Sequence, residues 1–145
     1  MFIITPNLEA NLKLIDQITI LIPFYNNANT LIRCVESFLT SDSFGAQIII
    51  LNDNSEPSEL QTIEKFVRKY SDFIPIQSNL RNRGYTLNVN LGLSMVKTKY
   101  VCISNSDIIV PNKWLNKLLA PLLADPFCYA TGPISNNAKY QSIFS

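Results

Sequence analysis

Three residues able to bind a ligand each follow a run of strand-forming residues. Tyr25 comes after Ile18 to Ile22, Asp53 after Gln47 to Leu51, and Asp107 after Tyr100 to Ser104. A carboxylate at the end of a buried strand is held rigidly at the sheet's edge, where open α/β sheets bind ligands. Burying it unpartnered is costly, so a cation or a hydrogen-bond donor is implied. Asp107, in Asn105-Ser106-Asp107, suits a hard divalent cation, which takes one or two carboxylates and fills its shell with phosphate and water. Asp53, in Asn52-Asp53-Asn54-Ser55, can accept hydrogen bonds from a pyrimidine N–H or from ribose hydroxyls, and Tyr25 offers a flat face to a base. Together these groups suit a nucleoside diphosphate. Plainer roles compete: Asp107 as a helix cap or turn residue, Asp53 as one of four turn formers, and Tyr25 as a core aromatic with its hydroxyl at the surface.

Composition narrows the chemistry. The chain has no histidine, which removes Ser-His-Asp and Cys-His nucleophiles and histidine-bound zinc, so carboxylates or a metal must carry any reaction. Cys34, Cys102 and Cys128 are odd in number and lie among apolar neighbours, as expected of reduced core thiols, and no pair has metal-ligand spacing. A net charge of +1 gives no field of one sign to draw nucleic acid or an anionic membrane. Four glycines and no glycine-rich phosphate loop leave side chains and a metal to grip any anion. Apolar runs fall short of the ~20 residues that span a bilayer. Met1 to Ile4 lacks the flanks of a signal peptide. A cytoplasmic location is therefore expected, with any membrane association supplied by a parent protein or partners.

The elements that must position these residues alternate short β-branched runs with helix-period segments, which predicts an α/β fold: a three-layer, mostly parallel sheet with helices on both faces, Rossmann-like in its nucleotide-binding half. After a leader over residues 1–17, Ile18 to Ile22 is expected as the first strand, ended by Pro23. A helix from Asn29 or Thr30 carries Leu31, Val35, Phe38 and Leu39, and Gln47 to Leu51 is the next strand. Ser55 is expected to cap a helix with Pro57 in its first turn and Leu60, Ile63, Val67 and Tyr70 in register. Phe73 to Gln77 reads as an edge strand because of Pro75. Tyr85, Val89, Leu93 and Val96 form one helical stripe, with Gly92 allowing close approach to the sheet. Tyr100 to Ser104 is a strand, Trp114 to Leu122 a helix that Pro121 should kink or end early, and Phe127 to Thr131 a last strand before a polar tail.

The order Ile20-Leu21-Ile22-Pro23-Phe24-Tyr25-Asn26, Leu51-Asn52-Asp53-Asn54-Ser55, Asn82-Arg83-Gly84-Tyr85 with Asn90 and Gly92, and Ser104-Asn105-Ser106-Asp107 resembles the family 2 glycosyltransferases of GT-A fold. Gly132-Pro133 fits the same pattern. The resemblance implies a nucleotide-sugar-binding domain over residues 18–135, with the acceptor half absent, and a tail over residues 136–145. It implies that Pro23 and Tyr25 border the base, that Asp53 binds its imide edge, and that Arg81 or Arg83 lies near the diphosphate. Asn105 and Asp107 take the places of the family's DxD motif, with Asp107 as ligand to Mn2+ or Mg2+.

The chain departs from the pattern at Asn52, Asn105 and Val89, where many members carry aspartate, aspartate and arginine. Metal binding assisted by the donor is the natural expectation. Inverting members use a carboxylate from the acceptor-binding half as general base. Asp125 lies beyond a helix and is not assigned to that role, so the catalytic residue is unknown. Two functions stay open: a glycosyltransferase domain acting on a glycan, lipid-linked or other hydroxyl acceptor, or a non-catalytic nucleotide-sugar-binding module. An incomplete domain would expose an apolar flank that invites self-association.

Overall fold

Every residue of β2 (Ile18–Phe24) is buried, as befits a central parallel strand covered on both faces. The computed structural model describes residues 1–4, 17–43 and 45–134, with only the backbone of residues 2–4 and 71–73. The expected tail and most of the expected leader lie outside the described residues.

Along the chain, β1 (Phe2–Ile4) and β2 are followed by α1 (Ala28–Leu39), β3 (Gln47–Asn52), α2 (Pro57–Val67), a 3-10 segment (Arg68–Phe73) and β4 (Ile76–Ser78). Then come α3 (Tyr85–Met95), β5 (Tyr100–Ile103), α4 (Trp114–Ala124) and β6 (Ala130–Thr131). The sheet order is β4-β3-β2-β5-β1-β6. Strands β4, β3, β2 and β5 are mutually parallel, and β1 runs antiparallel to both β5 and β6.

Side chains on successive strand residues point to opposite faces. Ile18, Ile20, Ile22 and Phe24 therefore join Ile48, Ile50 and Cys102 in one cluster, closed by Leu31, Val35 and Phe38 of α1, Ile63 of α2, and Trp114 and Leu119 of α4. On the other face Leu21, Ile49, Leu51 and Val101 pack against Leu93 and Met95 of α3. Phe38 meets Trp114 edge-on at 5.3 Å between ring centroids, locking α1 to α4. The three-layer α/β arrangement with helices on both faces is thus observed.

Several local expectations are corrected. Pro23 does not end β2, which pairs with β3 through Pro23↔Leu51 and Phe24↔Asn52. Leu21 O accepts from Ser104 N and Phe24 O from Asp53 N. Because backbone groups alternate sides along a strand, the nitrogen of Pro23 faces the β5 side, where pairing has ended, and no ladder bond is lost. Within the expected leader, Phe2–Ile4 form a strand inserted between β5 and β6. Ser55 is not the cap of α2: Glu56 holds that position without a side-chain bond. The edge strand is shorter and later than expected, at Ile76–Ser78, because a 3-10 segment takes up Phe73. Pro121 does not end α4, which runs on to Ala124, since a proline carbonyl still accepts and Asp125 N donates to it at 3.1 Å. The last strand shrinks to Ala130–Thr131. Tyr85 leaves the buried stripe of α3 and is exposed.

Candidate functional site

The loop after β2 is built by two asparagines in the left-handed region, Asn26 at φ 59° and Asn27 at φ 60°. Asparagine tolerates that conformation better than most residues. Asn26 N donates to Ser55 Oγ and Asn26 Oδ1 accepts from Glu56 N, both at 2.9 Å, so this loop is fastened to the one after β3. Asn52, 2% exposed, holds the second loop from within: its Oδ1 accepts from Ser55 N at 3.0 Å and its Nδ2 donates to Ser78 Oγ at 3.1 Å. Donating and accepting at once is what an amide offers and an ionised carboxylate does not. Tyr25, between these fastenings, projects with 57% of its surface exposed.

Asp53 is buried, at 4% exposure, and its oxygens are engaged within the chain. Oδ1 accepts from Asn79 Nδ2 at 2.8 Å and from Arg83 N at 2.9 Å, and Oδ2 accepts from Gly84 N at 2.8 Å. Hydrogen bonds to a carboxylate are the strong ones, so the 82–84 turn is clamped onto the end of β3. Asn79 Nδ2 also reaches Asn88 Oδ1 at 3.0 Å, and Asn88 Nδ2 donates to Leu51 O at 2.7 Å. Asn79 and Asn88 were not singled out from the sequence, where one asparagine among several carries no signal of burial.

The third loop leaves β5 at Ser104. Its first carbonyl, Asn105 O, accepts from Ser104 Oγ at 2.9 Å and from Cys34 Sγ at 3.4 Å, and Val110 N donates to Ser37 Oγ at 3.1 Å, so it is strapped to α1. The Cys34 thiol is pushed up to about 11, mainly by burial, against lowering hydrogen bonds from Ser104 and Ile108, with a smaller upward push from the charge of Asp107. Asn105 and Asp107 are exposed, and no hydrogen bond or ion pair engages the Asp107 carboxylate among the described residues. No group of three or more acidic or cysteine ligands gathers around a point there among the described residues.

The three loops meet at the rim formed by the C-terminal ends of the parallel strands. A pocket of about 340 Å³ is lined by Pro23, Phe24 and Tyr25 from the first loop, Asp53 from the second, and Ser106, the neighbour of Asp107, from the third. Asn82, Gly84, Tyr85 and Asn88 close its other wall. Arg81 and Arg83 line an adjoining concavity of about 480 Å³ with Ser78, Asn79 and Leu80, although the backbone of Arg83 helps to hold the first pocket. Asp125 turns the chain after α4, its Oδ1 accepting from Phe127 N at 2.8 Å. Tyr85 was missed because its spacing matched the core stripe; the signal that it differs is the glycine before it, at φ 78°.

A sequence model described as Glycosyl transferase family 2 matches residues 19–141. The chain belongs to glycosyl transferase family 2. Family relatives include the cholesterol galactosyltransferase of Borreliella burgdorferi, 30% identical over 109 residues that cover 75% of this chain and 30% of that protein. The glycosyltransferase GlyA of Streptococcus pneumoniae is 26% identical over 71% of this chain and 14% of its own length. The chain thus spans less than a third of these two family members. In fold it is similar to a mannosyltransferase of Pyrobaculum calidifontis solved with GDP-Man and Mn2+, with a TM-score of 0.67 and 18% identity over 76% of this chain and 33% of that one. It is also similar to GalNAc-T7 solved with UDP, GalNAc and Mn2+, with a TM-score of 0.68 and 20% identity over 75% of this chain and 21% of that one. These likenesses assign the GT-A fold to this family 2 chain. No helix among its described residues is long and apolar enough to cross a membrane.

Proposed function

We propose that this chain is the donor-binding part of a glycosyltransferase, holding a nucleoside diphosphate sugar together with a divalent metal for transfer to an acceptor hydroxyl. The observation that carries the reading is the convergence of Tyr25, Asp53 and the Asn105 to Asp107 loop at one strand-end rim, inside the stretch that matches the family. Pro23 and Tyr25 border the base. Asn105 and Asp107 face the diphosphate end, and Arg81 or Arg83, lining the concavity beside the pocket, supplies positive side-chain charge to it.

The donor set fits Mn2+ or Mg2+: the free carboxylate of Asp107 is a hard oxygen ligand, and one such group suffices when phosphate and water complete the shell. When bound, the metal would neutralise charge on the leaving diphosphate. The chain's own residues bind and orient the donor. With a single carboxylate, metal and nucleotide should bind each other's complex better than either binds alone.

Calorimetric titration with UDP, GDP and dTDP, with and without Mn2+, tests the reading. Binding of at least one nucleotide, tightened by Mn2+, is expected; no binding of any of the three overturns it. A second reading, binding without turnover, is favoured by the loop-holding bonds of Asp53 and by the turn-forming role of Asp125, which give those two carboxylates structural work in place of a base's. Sugar transfer to an acceptor by this polypeptide alone would remove that second reading.

A further inference from the structure

Tyr25 and Tyr85 are each 57% exposed and both line the same pocket, one from the loop after β2 and the other as the first residue of α3. A ring this open is not fixed by core packing. What fixes Tyr85 is the backbone before it. Gly84 lies at φ 78° and ψ 163°, a region essentially reserved for glycine. Its N–H is held by Asp53 Oδ2 and by Asn82 Oδ1, with that of Arg83 held by Asp53 Oδ1. A Cβ at Gly84 would meet nothing within 4 Å, so crowding does not call for glycine there; the backbone conformation does. A buried charge and a glycine-only turn are thus spent on aiming an exposed ring at a pocket whose other ring is Tyr25.

We propose that Tyr85 is a second aromatic wall of the nucleobase subsite beside Tyr25, and that Asp53, which itself lines the pocket, positions that wall through Gly84. The inference deepens the donor-binding reading and rests on it. A nucleobase is the part of the donor that fits two rings, because it has flat π faces and a polar edge, and Asn82 and Ser106 on the pocket wall supply polar partners for that edge. Diphosphate and sugar have no such flat faces. Tyrosine, with few rotatable bonds, provides this area at low entropic cost.

The test compares the unaltered chain with Tyr85→Ala, Tyr85→Leu, Tyr85→Phe and Asp53→Asn, by calorimetry with the tightest-binding of UDP, GDP and dTDP, and with pyrophosphate as a base-free probe, all with Mn2+. Tyr85→Ala and Tyr85→Leu should each weaken nucleotide binding about fivefold or more, the lower end of what one base-stacking ring is worth. Tyr85→Phe should restore it, and pyrophosphate binding should not change. Asp53→Asn should weaken nucleotide binding in the unaltered chain and weaken it less once Tyr85 is alanine. Unchanged nucleotide affinity in Tyr85→Ala, or an equal loss for pyrophosphate, overturns the inference while leaving the donor site standing. Failure of the unaltered chain to bind any nucleotide overturns the donor reading itself.

Discussion

Asp53 Oδ2 lies 2.8 Å from the backbone nitrogen of Gly84, and this bond joins the end of β3 to the turn that launches α3. The two residues are 31 apart in the chain. The bond fixes where one wall of the pocket stands. At the same rim Asp107 is exposed, while the buried Asp53 shapes the pocket wall.

Replacing Asp53 with asparagine keeps the size but removes the charge and turns an amide NH2 toward the backbone N–H of Gly84, which keeps only Asn82 Oδ1 as acceptor. With the amide oxygen in the place of Oδ1 two of the three bonds of Asp53 survive and that to Gly84 N is lost, and a hydrogen bond to a charged group is worth about 1.5–3 kcal/mol. Asp53→Asn should therefore lower the free energy of unfolding by about that much, read from urea midpoints at constant m-value. A midpoint equal to that of the unaltered chain would show that the clamp contributes nothing to the fold.

Asp107 is the opposite case. Its side chain is exposed and free of hydrogen bonds among the described residues, so the fold asks nothing of it. Asp107→Asn should leave the urea midpoint unchanged within error. It should abolish most of the tightening that Mn2+ brings to nucleotide binding, while binding without metal stays the same. Mn2+ tightening that survives the substitution would assign the metal to other ligands.

Much of this was legible in the sequence because the parallel strands are buried on both faces and so appear as apolar runs: Ile18 to Ile22, Gln47 to Leu51 and Tyr100 to Ser104 were all located to within two residues. Gly92 was legible too, since a Cβ there would press on Leu21 and Leu51. The losses have a common origin in partners distant along the chain. Phe2–Ile4 is a strand only because β5 and β6 flank it, and three residues carry no period of their own. Asp53 could be placed at the rim, but its donors, Asn79, Arg83 and Gly84, come from a different loop, which spacing alone does not reveal. Tyr85 obeyed the helical period and still faced outward, although Val89 and Gly92 of the same helix are buried and Leu93 packs on Leu21, Ile49, Leu51 and Val101.

The buried thiols predict an alkaline limit to stability. Burial is the main cause that lifts Cys34 to about 11 and Cys102 to about 12, from an ordinary 9.0. As pH rises, the unfolded chain loses these protons first, so the folded state binds more protons and stability falls with pH. Their contribution is complete below pH 9 and drains away from pH 9 to about 12. Urea midpoints should decline over that window, and less steeply in Cys102→Ala; identical slopes for the two proteins would rule out the thiol as a cause. Iodoacetamide at pH 8 should label Cys128, which is only half-buried, well before Cys34 or Cys102.

The two glycines of the α3 region should respond to substitution for different physical reasons. At Gly84 a side chain has open space but the wrong backbone, so Gly84→Ala and Gly84→Val should both carry the strain of a glycine-only conformation, about 1–3 kcal/mol, with little dependence on size. At Gly92 the backbone is helical, and an added Cβ would overlap Leu51 Cδ1 outright and come within 3.1 Å of Leu51 Cδ2 and 3.2 Å of Leu21 Cδ1, on two wholly buried side chains that have little room to move. Alanine gains about 1 kcal/mol of helix preference over glycine, which offsets part of an overpacking cost of about 1–3 kcal/mol. Gly92→Ala should thus be mildly destabilising and Gly92→Val clearly more so, because each added methyl has to displace a leucine that also packs α3 on the sheet. Equilibrium unfolding of the four variants separates the two mechanisms: a steep size dependence at Gly92 with a flat one at Gly84 is expected, and the reverse pattern would mean that the turn, not the helix, is where α3 is tightly packed.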